Sequence, residues 1–136
     1  MPDHLPEYYF RVRENGAAVF RLDTENRQSR IEMDQIAVAN VKNGEIKANG
    51  DRTLSDQDIE TIQNWISERR ALLAQRSIDD IRRLVDQLNL TAQWAQSKAT
   101  DAELVELNDD LLFAMHDLRS VLVRKKADRI QKARGS

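Results

Sequence analysis

Leu54-Ser55-Asp56-Gln57-Asp58-Ile59 is where the chain changes its periodicity. Ser55 suits a helix N-cap, because a serine oxygen can accept from a backbone N–H of the first turn. Asp58, three residues on, completes a variant of the capping box, and Leu54 can staple onto Ile59. Before this hexapeptide, apolar residues alternate; after it they recur every three or four positions. Strands first and helices second is the pattern of an α+β protein.

Working back toward the N-terminus, Tyr8, Phe10 and Val12 alternate with Tyr9, Arg11 and Arg13. Ala18, Phe20 and Leu22 alternate in turn with Val19, Arg21 and Asp23. Glu14-Asn15-Gly16 lies between and signals a hairpin. A three-residue loop with Gly16 left-handed would set Val12, Phe10 and Tyr8 opposite Ala18, Phe20 and Leu22. That register buries one apolar face, so it is the expectation. A second three-residue turn at Lys42-Asn43-Gly44 would put Val38 and Asn40 opposite Ala48 and Ile46. Ile31 and Met33 are out of phase with Ile36 and Val38, which calls for a bulge or bend at Asp34-Gln35.

Working forward, Ile59, Ile62, Ile66 and Leu73 form a stripe widened by Trp65 and Leu72. Its phase breaks near Gln75–Ser77, where Ser77 ahead of Asp79 and Asp80 suggests a new N-cap. Ile78, Ile81, Val85, Leu88, Ala92 and Ala95 then keep heptad spacing. Thr100 with Glu103 is a further capping box, opening the seam Leu104, Leu107, Leu111, Ala114, Leu118 and Val121. A short polar loop between two heptad helices predicts an antiparallel hairpin. The expected fold is therefore an N-terminal four-stranded antiparallel β-meander followed by three helices, the last two forming that hairpin. The division falls into residues 1–76, a head with the first capped helix, and 77–136, the hairpin with a basic C-terminal tail.

Composition narrows the function classes. With 136 residues, 40% hydrophobic and 32% charged, the chain can bury a core and is not compositionally disordered. It has no cysteine, which removes disulfides, thiolate metal sites and cysteine nucleophiles and fits a reducing compartment. Residues 1–7 lack the apolar run of a secretory signal. The longest apolar run, Leu111–Met115, falls far short of the roughly 20 residues that span a bilayer. A cytoplasmic protein is the expectation, with no membrane partner.

No catalytic motif stands out. Aligned to an EF-hand loop, residues 47–58 put Lys47 at the first ligand position and Arg52 where the sharp turn needs glycine. His4 and His116 have no second ligand at metal spacing, and the pairs Asp79-Asp80 and Asp109-Asp110 diverge on a helix. The expectation is a protein without enzymatic activity, metal or cofactor.

Two interaction surfaces remain. Ile78, Ile81, Val85 and Leu88, with Leu111, Leu112, Met115, Leu118 and Leu122, offer more apolar surface than one two-helix hairpin can bury. That favours self-association, as a homodimer, by a non-enzymatic interaction or regulatory protein. The alternative is a nucleic-acid-binding regulator. Tyr9, Arg11, Arg13 and Arg21 would share a sheet face, with Arg27 and Arg30 nearby. Arg124, Lys125, Lys126 and Arg129, with Lys132 and Arg134, would add phosphate contacts from the tail. Charge weighs against it: the chain carries −2 overall, concentrated as −6 over residues 55–123 against +5 over 124–136.

Overall fold

The computed structural model describes residues 5–23 and 31–135. Four strands come first: β1 (Tyr8–Arg13), β2 (Gly16–Leu22), β3 (Met33–Asn40) and β4 (Ile46–Ala48). Two helices follow, α1 (Asp56–Ser97) and α2 (Asp101–Gly135). The strands form one antiparallel sheet in the order β1-β2-β3-β4, the expected meander. The chain divides into two compact units, Met1–Ile81 and Arg82–Ser136, and α1 contributes to both.

There are two helices where three were expected. The phase break near Ser77 does not stop α1. The Ser77 hydroxyl donates back to the Leu73 carbonyl at 3.1 Å, within a continuing helix, instead of capping a new one. The Gln75 amide likewise reaches Asp79 one turn on, at 3.2 Å. The other two starts match the expectation. The Asp58 N–H donates to Ser55 Oγ and the Ser55 N–H to Asp58 Oδ2, both at 3.0 Å. The Thr100 N–H donates to Glu103 Oε1 at 3.0 Å, and the Glu103 N–H to Thr100 Oγ1 at 3.2 Å.

The hairpin registers differ from those expected. In the first, Arg13 pairs with Gly16, Phe10 with Val19 and Tyr8 with Arg21, closing a two-residue Glu14-Asn15 loop. Gly16 is not left-handed there; it belongs to β2. A Cβ on it would lie 1.9 Å from the Ala39 carbonyl oxygen, so its role is to let β3 approach. In the second hairpin Ala39 faces Ile46 and Ala37 faces Ala48, around a four-residue loop, Val41–Gly44. The Asn40 side chain takes the N–H groups of Lys42 and Asn43, and Gly44 adopts φ +76°. The bulge falls one residue later than expected. Val19 pairs with Ala37 and Phe20 with Gln35, which leaves Ile36 as the extra residue.

These registers give β2 two buried faces. Val19, Ala37 and Ala39 meet Ile62 and Ile66 of α1, with Tyr8, Phe10, Ile46, Leu54 and Trp65 around them. The Phe10 and Trp65 rings stack 4.9 Å apart and nearly parallel. Ala18, Phe20 and Leu22 form a smaller cluster on the other face. The expected single face combining Phe20 and Leu22 with Tyr8 and Phe10 is therefore split. Chain alternation assigns the two sets to opposite sides once the loop has two residues.

Candidate functional site

The feature of the molecule least explained by its own packing is the helical surface. None of the described residues of α2 is buried, and only Leu104 is half-buried. Leu118 is 47% exposed and Leu122 59%, values foreign to large aliphatic side chains in a packed bundle. Val85, Ile78 and Ile81 on α1 are equally open. Leu88, Trp94 and Ala95 of α1 are half-buried, as are Ala99 in the turn and Leu104. Within Arg82–Ser136 the two helices thus shield each other close to the turn and leave both seams open beyond it.

The apolar arc of α2 is wide. At 100° per residue, Val121, Leu107, Leu118, Leu111, Met115 and Leu112 sweep about half the circumference, against the stripe of about 100° usual for a surface helix. Glu106, Asp109, Asp110 and Asp117 occupy the opposite side. Every self-association candidate from the sequence (Ile78, Ile81, Val85, Leu88, Leu111, Leu112, Met115, Leu118 and Leu122) therefore lies on a helix, and all but the half-buried Leu88 are exposed.

The nucleic-acid candidates are not brought together on one sheet face. Tyr9 and Arg11 lie on the face away from α1. There the Arg11 guanidinium sits 4.5 Å from the centre of the Phe20 ring and 5.9 Å from that of Tyr9. Arg21 lies on the α1 face, bonded to Asp58 and beside the Tyr8 ring. Arg13 is exposed at the end of β1. Arg124, Lys125, Lys126 and Arg129 are exposed on the last turns of α2. Arg27, Arg30 and His4 lie outside the described residues.

One charged cluster was not evident in the sequence. Asp58, only 4% exposed, accepts from the Tyr8 hydroxyl at 2.6 Å and from the Arg21 guanidinium through Oδ1, while Oδ2 caps α1. Burial by itself would push this carboxyl up. Hydrogen bonds from Tyr8, from the Ser55 N–H and from Arg21 outweigh burial and hold it at about 2, against 3.8 for a free aspartate. Burial and the bond to Asp58 together raise the Tyr8 hydroxyl, and the same carboxylate raises Arg21. Both oxygens of the buried Asp58 carboxylate are thus bonded, tying β1 and β2 to the start of α1. A capping aspartate with a second oxygen to spare was the available signal; its distant partners were not local.

Beside Arg21 an open depression of about 480 Å³ is lined by Glu7, Leu22, Asp23, Glu32, Met33 and Asp34. Asp34 is paired with Arg52 at 2.5 Å. Among the described residues no three histidine, cysteine or acidic side chains are grouped to hold a metal ion. No helix among them is long and apolar enough to cross a membrane. Compared with known proteins, the chain matches no family model, no curated protein and no solved structure.

Proposed function

We propose that this chain is a non-enzymatic interaction protein that self-associates, as a homodimer, through its helical half. One observation carries the reading: the heptad residues of both helices are exposed over most of their length. A long helix in water draws most of its stability from burying an apolar face. The apolar arc of α2, left open within the chain, finds that burial in a second molecule. The head has a core of its own in Val19, Ile36, Ile62 and Ile66. Light scattering at high micromolar concentration tests this reading. A mass of twice 15.7 kDa is expected, and a strictly monomeric mass overturns it.

Nucleic-acid binding is the second reading. It would rest on the exposed basic turns Arg124, Lys125, Lys126 and Arg129, because Arg21 faces away from Tyr9 and Arg11. Its mark would be binding to labelled nucleic acid that weakens steeply with salt and drops in a chain ending at Val123.

A further inference from the structure

α2 is electrically two-ended. Its first half holds Asp101, Glu103, Glu106, Asp109, Asp110 and Asp117 with no lysine or arginine. From residue 119 onward it holds seven lysines and arginines against Asp128 alone. The apolar seam runs from Leu104 to Val121 and stops there, since the next seam positions are Lys125, Asp128 and Lys132. Beyond the half-buried Leu104, that seam is exposed in the folded chain.

We infer that the second copy lies antiparallel along α2, acidic half against basic half, about a two-fold axis between Leu112 and Phe113. This rests on the self-association proposed above and specifies its geometry. In that register the seam closes on itself: Leu104 meets the partner's Val121, Leu107 the partner's Leu118, and Leu111 the partner's Ala114. With Leu104, Leu111 and Leu118 as a positions, Glu103 and Arg124 both fall at g. The antiparallel arrangement sets Glu103 beside the partner's Arg124, twice over by symmetry. It also sets Asp110 near the partner's Asp117, a like-charged approach outweighed by the opposed halves. A parallel arrangement would instead stack the basic halves, Arg124 against the partner's Arg129.

The absence of cysteine makes the test direct, with spin labels on full-length Phe113→Cys and, separately, Gln131→Cys. Phe113, at c, lies away from the seam, and Gln131, at g, lies beyond its last apolar residue, Val121. At a rise of 1.5 Å per residue, the antiparallel dimer puts the 113 labels about 20–30 Å apart and the 131 labels about 60 Å apart. Equal short distances at both positions mean a parallel dimer, which overturns the inference and leaves self-association standing. No dipolar coupling at either position overturns both. Arg124→Glu supplies an independent arm: dimer association, followed by sedimentation, should weaken about tenfold in the antiparallel arrangement. Tighter association would show the parallel one and overturn the inference.

Discussion

The Asp58 carboxylate that caps α1 also accepts the Tyr8 hydroxyl at 2.6 Å, joining residues fifty positions apart. One oxygen serves the local helix start and the other serves the tertiary fold. The helix entry and the docking of the sheet are consequently a single event.

Asp58→Ala removes both roles, whereas Ser55→Ala removes only a cap. Asp58→Ala should cost about 2–3 kcal/mol, because it also strands the Tyr8 hydroxyl and the buried side of Arg21. Ser55→Ala should cost about 1 kcal/mol. Urea unfolding of the two variants beside the parent chain measures the difference, and equal losses would contradict the dual role.

The same carboxyl gives the head an acid-sensitive component. Its folded value of about 2 lies below the free value of 3.8, so in this range the unfolded chain binds more protons. The stabilisation is fully present above about pH 4 and is lost as the pH falls through about 2. Its size is about 2 kcal/mol. Comparing urea midpoints at pH 5 and pH 2.5, the parent should lose most of this increment and Asp58→Asn should not.

Two glycines should respond differently to alanine. Gly16→Ala drives a methyl into the Ala39 carbonyl and should cost about 3 kcal/mol, because backbone has to move. Gly44, at φ +76°, has only the end of the Arg70 side chain nearby, 3.4 Å from a built Cβ. Gly44→Ala should therefore cost about 1 kcal/mol, from backbone strain alone. Thermal or urea unfolding of the pair checks the order.

Leu111→Asp with Leu118→Asp should separate the copies and leave the head folded. Both side chains are exposed in the single chain, so no core is emptied. Sedimentation should give a monomer, and helical circular dichroism should fall with it, since an unpacked α2 is marginal in water. The Phe10–Trp65 stack, 4.9 Å apart in the head, should keep its near-ultraviolet signal. A mass unchanged from the parent would remove these leucines from the interface.

Features set by close neighbours along the chain are legible in the residues themselves. The caps Ser55/Asp58 and Thr100/Glu103 form as expected, because a cap is closed within one helical turn. The four strands and the heptad spacing of the helices follow from local alternation and local period in the same way. Ser77 shows the limit. It has the residues of a cap, yet its hydroxyl turns back to Leu73, because helix on both sides leaves no free N–H to receive.

The sequence by itself determined the four strands ahead of the helices, the helix starts at Ser55 and Thr100 and the apolar seams, all of which depend on residues within a turn or a pleat of one another. Only the tertiary structure decided the strand registers, the pairing of Tyr8 and Arg21 with Asp58, and the separation of Arg21 from Tyr9 and Arg11. Register depends on what covers each face of β2, and both faces are covered: one by Ile62 and Ile66, the other with Tyr9 and Arg11 packed on Phe20. No alternation within a single strand can report a second buried face, because the partners that bury it come from elsewhere in the chain.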